Sequence, residues 1–318
     1  MTQTPDFAHG ANQSDATMED SPLLGRESDS NQASGRKRFR VGLLLANERI
    51  PAWQKRAIER MIARTNVEIT HVVINDRVSS KSLEERLESC VERVQNYPLW
   101  SIVGGFRGFR GPPEYMEPRP IGSIPGMADA KRIHCQPRPA RTFGNRLPAR
   151  VEREVGPRTD VVVRFGFGVL KGELLTMPTH GVLSFHRGDF ESYRGQPGGF
   201  WEFLNGEPTA GVTLQQLEER LDAGSIVAYE EVDIRDAHTW REVERRQIAA
   251  CEELLAVGVR NLQDPDYEPV PPSSLGTLYT TPAGVDVLRY VSKDTRGWLR
   301  RTAAGEGTVV DAVRRSDF

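Results

Sequence analysis

The sequence lacks the features that mark membrane and secreted proteins. No apolar run approaches the roughly 20 residues needed to cross a bilayer. The first six residues, Met1 to Asp6, contain neither the basic nor the apolar part of a signal peptide. We therefore expect a cytoplasmic protein without a membrane partner.

Cysteine and net charge are also scarce. The three cysteines, Cys90, Cys135 and Cys251, are scattered without the short spacing of a metal site. We expect no bound metal and buried thiols in a reducing compartment. The net charge of −2 gives no overall field that would recruit nucleic acid, so no nucleic-acid partner is expected.

What the chain does contain suggests one folded domain with two flanking segments. Residues 1–35 are rich in Ser, Gln, Asn, Asp and Gly, a composition that predicts a disordered tail. Residues 36–262 carry alternating strand and helix patterns and are predicted to form the main domain. Residues 263–318 are predicted to be a linker and a small C-terminal extension, with a hairpin that pairs residues 278–279 with 285–291.

The main domain is predicted to be an α/β fold. Short continuous apolar runs, typical of strands buried on both faces, alternate with segments of helical periodicity. Such alternation predicts a mostly parallel sheet covered by helices on both faces. The clearest strand runs are Val41 to Ala46, Val67 to Ile74, Asp160 to Phe165, and Val182 to Phe185, which ends at His186.

Two further patterns leave alternatives open. Gly166 and Gly168 follow a strand, and Asp189 comes about 20 residues later, as in dinucleotide-binding folds. The third glycine is Gly172, one position too late, which disfavours a nicotinamide enzyme.

Residues 107–158 hold 11 Lys or Arg against 5 Asp or Glu. This segment could hold an anionic substrate or form a long surface excursion.

The most informative residues are a histidine and a carboxylate that follow predicted strands. His186 ends the sequence Ser184-Phe185-His186, and Asp222 follows 36 residues later. A protonated histidine can stabilise an oxyanion, and a nearby carboxylate can raise the proton affinity of that histidine. In open parallel sheets, ligands bind at the carboxyl ends of the strands. Such a pair suits acyl transfer to an amine, whereas each residue taken alone is more often structural, with Asp222 in a turn.

The ordered set of motifs around this pair resembles the folate-dependent formyltransferases. That family includes methionyl-tRNA, glycinamide-ribonucleotide and amino-sugar formyltransferases. The resemblance is carried by Pro178, Ser184-x-His186, Tyr193-Arg194-Gly195, Gly211-Val212-Thr213 and Leu221-Asp222-Ala223-Gly224. It implies a Rossmann-like sheet without bound nicotinamide. It also implies formyl transfer from 10-formyltetrahydrofolate to a primary amine of a small molecule, such as a nucleotide-linked amino sugar.

The resemblance also implies which residues form the site. His186, Asp222 and Ser184 would be catalytic. The candidates for the acceptor amine are Asp189, Tyr193 and Arg194. Two loops would line the folate pocket, through Phe165, Gly166, Phe167, Gly168, Val169, Leu170, Leu221 and Gly224.

Three departures from the family pattern qualify this expectation. Ser184 stands where the family has an asparagine, and a hydroxyl is a shorter donor to an oxyanion than an amide. The loop after the histidine reads Gly188-Asp189-Phe190-Glu191, with two carboxylates that would alter the acceptor accepted. Only 56 residues follow Leu262, which argues against a tRNA acceptor. Because of Ser184, the alternative function is a folate-binding or regulatory protein with impaired catalysis.

Overall fold

The computed structural model describes residues 38–77, 83–109, 111–141, 143–220 and 224–303. The predicted tail over residues 1–35 lies outside these ranges, as do the site candidates Leu221 and Asp222. The strands are β1 (Phe39–Leu45), β2 (Arg49–Pro51), β3 (Val67–Asn75), β4 (Pro118–Pro120), β5 (Lys131–Cys135), β6 (Arg138–Pro139), β7 (Asn145–Arg146), β8 (Val161–Arg164), β9 (Leu170–Lys171), β10 (Val182–His186), β11 (Tyr193–Gly195), β12 (Thr209–Gln216), β13 (Ile226–Asp233) and β14 (Thr277–Tyr279). The helices are α1 (Ala52–Arg64), α2 (Leu83–Asn96), α3 (Pro98–Phe109), α4 (Ala149–Val155), α5 (Phe200–Asn205), α6 (Trp240–Gln263) and α7 (Val285–Ala303).

The centre of the molecule is a seven-stranded sheet in the order β13-β12-β10-β8-β1-β3-β5. The strands from β10 to β5 pair in parallel. β12 is antiparallel to β10, and β13 is antiparallel to β12. The predicted mostly parallel sheet is therefore confirmed.

The apolar strands bury both of their faces because side chains alternate along a strand. Val161 and Val163 of β8 join one core cluster, in which residues of α1 and α6 also pack. Val162 points the other way, into a second cluster that contains Val151 and Val155 of α4. Helices thus cover both faces of the sheet, as predicted.

The C-terminal segment differs from the prediction. The hairpin partner expected over residues 285–291 is wrong, because these residues begin the helix α7. Val287 and Tyr290, three residues apart, are buried and pack in one core cluster with Phe200 of α5. The predicted strand at Leu278–Tyr279 is present as β14, which pairs in parallel with β11.

Two smaller expectations also need correction. Cys90 is exposed on α2, whereas Cys135 and Cys251 are buried as predicted. The Gly and Pro residues from Gly104 to Pro125 predict a break in the alternating pattern, but the regular structure does not end at Gly104, because α3 continues to Phe109. In the ranges that the structure describes, no helix has the length and hydropathy of a membrane span.

Candidate functional site

Neighbouring strands bring three polar side chains into one row at the carboxyl edge of the parallel sheet. In the register of β8 and β10, Ser184 lies beside Arg164. On the other side of β10, Ser184 is opposite Gln215 of β12. The guanidinium of Arg164 donates to Ser184 Oγ, with Nη2 at 2.6 Å and Nε at 3.2 Å. Strand pairing alone therefore builds an Arg–Ser–Gln row.

His186 lies two residues after Ser184 and on the same face of β10, about 7 Å further along the strand. Its side chain is 7% exposed and stacks on Phe190, with ring centroids 4.7 Å apart. His186 Nε2 lies 3.2 Å from the backbone oxygen of Tyr193. Because a carbonyl oxygen only accepts hydrogen bonds, Nε2 carries the proton in this contact. The imidazole is thus held in one orientation.

These side chains border one cavity, which we call the strand-end cavity. It has a volume of about 310 Å³. Its walls are the start of α1, the ends of β8 and β10, and the turn over residues 195–198. The side chains that line it include Trp53, Gln54, Arg164, Ser184, His186 and Arg187. The strand-end cavity therefore brings together three sequence-predicted candidates, Phe165, Ser184 and His186, and adds a charged residue that the motifs did not indicate.

That residue is Arg164, at the last position of the valine-rich strand β8. Besides Ser184, it donates to the backbone oxygen of Gly168 in the predicted folate loop. A guanidinium is always charged and offers several donors, so it stabilises negative charge better than an amide. The sequence contains a signal that could have indicated Arg164 as a site residue, because a charged residue directly follows the buried run Val161-Val162-Val163.

The predicted folate loop packs against the ends of β1 and β8. A Cβ on Gly166 would lie 2.6 Å from the backbone nitrogen of Ala46, so only glycine permits this approach. Phe167 adopts a φ of 71°, uncommon for a residue other than glycine, and its carbonyl accepts from Asn145 Nδ2 at 2.9 Å. Phe165 lines the strand-end cavity, whereas Phe167 and Leu170 are buried in the core.

On the opposite side of Ser184, one polar atom is buried without a partner. Gln215 is 3% exposed, and its Oε1 has no hydrogen bond within the described residues. A Cβ on Gly224 would lie 3.1 Å from this oxygen, so the backbone at Gly224 lies close to Gln215. A buried amide oxygen without a donor is costly, and a donor from a ligand or a water would satisfy it.

The three acceptor candidates lie in the loop between β10 and α5, where they stabilise the loop. The Tyr193 hydroxyl donates to Glu207 Oε1 at 2.6 Å, and its ring stacks on Tyr279. Arg194 Nε donates to the backbone oxygen of Gly276 at 2.8 Å. Asp189 Oδ1 accepts from the backbone nitrogen of Glu191 at 2.9 Å. That these three residues contact the acceptor remains a prediction.

A buried acid adjoins this loop. Glu202 on α5 is 3% exposed, and its Oε1 has no hydrogen-bond partner in the part of the chain described. Burial is the main reason that the pKa of Glu202 is raised to about 8, and the nearby charges of Asp189 and Glu207 contribute in the same direction. The carboxyl group is therefore neutral in the folded protein at pH 7.

This neutral acid predicts a pH-dependent stability. Unfolding returns the pKa of Glu202 to about 4.5, so between pH 4.5 and 8 the unfolded chain binds fewer protons than the folded one. The free energy of unfolding should fall as pH rises through this window, by up to about 1.4 kcal/mol per pH unit. In Glu202→Gln the free energy of unfolding should fall less steeply with pH, by this amount. Denaturant unfolding of the wild-type and variant proteins at pH 5, 6.5, 8 and 9 measures the difference. Plots of the free energy of unfolding against pH that run parallel for the two proteins would contradict the prediction.

A comparison with protein families finds one similarity in this region. The model described as "Formyl transferase" matches residues 134–257. This part of the chain is similar to the formyl transferase family. The match spans β5 to α6 and includes Ser184, His186 and Asp222. The predicted resemblance to formyltransferases is thereby confirmed.

Curated relatives agree with the family. Methionyl-tRNA formyltransferase of Thermodesulfovibrio yellowstonii is 34% identical over 84 residues, which cover 26% of this chain and 27% of that protein. The enzyme of the same name from Alkaliphilus oremlandii is 26% identical over 167 residues, or 48% of this chain and 53% of that protein. The chain thus spans about half or less of the length of these relatives.

Two solved structures are also similar. The N-formyltransferase from Helicobacter canadensis, in complex with folinic acid and dTDP-3-aminofucose, is 12% identical with a TM-score of 0.47. This match covers 77% of the present chain and 71% of the Helicobacter chain. Glycinamide ribonucleotide transformylase 1 from Symbiobacterium toebii is 17% identical with a TM-score of 0.45, and the match covers 72% of the present chain and 92% of the Symbiobacterium chain. TM-scores below 0.5 are weak evidence of likeness, so the fold of this chain rests on its own strand order.

Proposed function

We propose that this protein is a formyltransferase that moves a formyl group from 10-formyltetrahydrofolate to a primary amine of a small molecule. The observation that carries the proposal is the strand-end cavity, in which His186, Ser184 and Arg164 meet within the segment that is similar to the formyl transferase family. A nucleotide-linked amino sugar is an acceptor of the required chemistry.

The reaction needs two kinds of assistance. The amine nitrogen attacks the formyl carbon, and negative charge develops on the formyl oxygen. The C–N bond to the folate then breaks, while a proton passes from the incoming amine to the departing folate nitrogen. Donors must stabilise the oxygen, and an acid–base group must carry the proton.

The residues of the cavity can provide both. Arg164 and protonated His186 would donate to the developing oxyanion, and Ser184 would hold the guanidinium in place. Asp222 would raise the proton affinity of His186 and organise the proton path, as the resemblance implies. Arg164 would thus take over the oxyanion contact that the family assigns to asparagine.

The site also offers groups suited to the folate. A pterin ring carries an amino group and ring N–H donors, and Gln215 Oε1 is a buried acceptor that needs a donor. Phe165 presents an aromatic face in the strand-end cavity. We therefore place the pterin between the loop over residues 165–170 and Gly224, where Gln215 would accept one of its hydrogen bonds.

Calorimetric titration with a stable 10-formylfolate analogue tests this proposal. Saturable binding with one site per chain is expected, and Gln215→Leu should bind the analogue at least tenfold more weakly because the donor would face an apolar side chain. Conversion of an amine in the presence of 10-formyltetrahydrofolate would then establish transfer. Binding without turnover of any amine would favour the regulatory alternative, and a well-folded protein that does not bind the analogue would refute both.

A further inference from the structure

A second and larger cavity lies between the helices on the α1 side of the sheet. We call it the arginine cavity. It has a volume of about 1020 Å³ and is bordered by α1, α6, α7 and the segment that follows α3. Its walls include five arginines and a tyrosine, namely Arg56, Arg107, Arg241, Arg245, Arg301 and Tyr115. Neither the family motifs nor the proposed chemistry assigns it a role.

Three of the five arginines are neutralised by acids. Arg56 lies 2.7 Å from Glu252, and Arg107 forms an ion pair with Glu244. The third, Arg301, is 2.7 Å from an oxygen of Glu242 on α6. These pairs stabilise the packing of the helices and leave their guanidinium groups less able to attract an anion.

Arg241 and Arg245 are different. Neither forms an ion pair or a hydrogen bond with another residue in the described ranges. They are four residues apart on α6, so their Cβ atoms are about 6 Å apart on one helical face. Like charges at this spacing repel each other, and an anion between them would remove the repulsion. Guanidinium forks match the geometry of phosphate oxygens.

The arginine cavity adjoins the strand-end cavity along the first turns of α1. Trp53 and Gln54 line the strand-end cavity, and Arg56 lines the arginine cavity. Residues three apart on a helix are neighbours, so about one helical turn separates the two spaces. An elongated ligand could therefore occupy both.

Arg187 provides a cation at the same junction. It lines the strand-end cavity and has no ion pair with any residue that the structure describes. Burial raises the pKa of Tyr115 in the arginine cavity, whereas Arg187 and Arg241 lower it. Tyr115 therefore interacts electrostatically with one arginine of each cavity.

We propose that Arg241, Arg245 and Arg187 bind the phosphate groups of the acceptor, with the acceptor lying over the first turns of α1 and its amine directed toward His186. The assignment of the anion to the acceptor rests on the proposed formyl transfer. The folate would then approach from the opposite face, where the loop over residues 165–170 and Gly224 lie. The two substrates meet at the carboxyl edge of β8 and β10.

Calorimetric titration of the full chain with inorganic pyrophosphate tests the anion site without any need for catalysis. Arg241→Gln/Arg245→Gln should weaken binding about tenfold or more, because a neutral amide replaces each charge-assisted hydrogen bond of a guanidinium to the anion. The matched control is Arg296→Gln/Arg300→Gln. This pair has the same spacing on α7, also lines a cavity, and has no ion pair within the described ranges. The control should bind pyrophosphate like the wild-type protein.

The outcomes separate this inference from the proposed function. Absence of pyrophosphate binding, or weakening by the α7 control instead of the α6 pair, would overturn the anion site even if formyl transfer were observed. Pyrophosphate that binds at the α6 pair but does not compete with the acceptor amine would overturn its link to the acceptor. Failure to bind formylfolate, with the anion site intact, would refute the proposed function and the assignment of the anion to the acceptor, but not the anion site itself.

Discussion

Formyl transfer by the His186→Gln variant is expected to be about 10²–10⁴-fold slower than by the wild-type protein. Glutamine has an amide nitrogen at about the distance of Nε2 from the backbone, so it can still donate to the backbone oxygen of Tyr193, the contact that orients the imidazole. It cannot become a cation in the transition state or shuttle a proton. The loss should therefore appear in kcat, measured under saturating folate and amine.

The control for this variant is the binding of the formylfolate analogue. Because glutamine preserves the contact to Tyr193, binding should stay within about threefold, which corresponds to less than 1 kcal/mol. His186→Ala is the less suitable variant, because it loses this contact and leaves a larger void in a buried position beside Phe190. A folded His186→Gln protein with unchanged kcat would exclude His186 from the chemistry.

The sheet could be predicted because its signal is local. Val161-Val162-Val163 and similar runs are apolar on both faces, and only a helix-covered strand tolerates that pattern. The error at α7 arose where local preference and packing disagree. Val285, Val287 and Val291 favour a strand by β-branching, but burial of Val287 and Tyr290 against α5 selects a helix. That contact joins segments about 85 residues apart, which no local pattern reports.

The site was predictable only in part, for a similar reason. Ser184 and His186 are two residues apart, so their common face follows from strand geometry alone. The pairing of Ser184 with Arg164 depends on the register between β8 and β10, which the sequence does not state. The arginine cavity forms only when α1, α6 and α7 pack together, and no sequence motif indicates it. The position of Asp222 relative to His186 stays a prediction.

Arg164→Ala is expected to lower kcat by about 10²–10³, the usual effect of removing one oxyanion donor. Ser184 has a hydroxyl that accepts from the Arg164 guanidinium, and we propose that this contact aims the guanidinium at the formyl oxygen. Arg164→Lys keeps the charge but loses the two-pronged contact with Ser184 Oγ, so its kcat should lie between those of the wild-type and alanine proteins. Binding of the formylfolate analogue by Arg164→Ala is the control. Unchanged binding would show that the lower kcat does not result from loss of the contact between Arg164 and Gly168.

The double variant Arg164→Ala/Ser184→Asn decides whether Arg164 replaces the missing asparagine. With the guanidinium removed, an asparagine at position 184 would have room to direct its amide at the oxyanion, and kcat should recover by at least tenfold over Arg164→Ala. With Arg164 present, Ser184→Asn alone should not raise kcat, because the guanidinium adjoins position 184 in the strand register. The two substitutions should therefore be strongly non-additive. An increase in turnover by Ser184→Asn alone would mean that the serine only impairs the enzyme, and Arg164 would lose its assigned role.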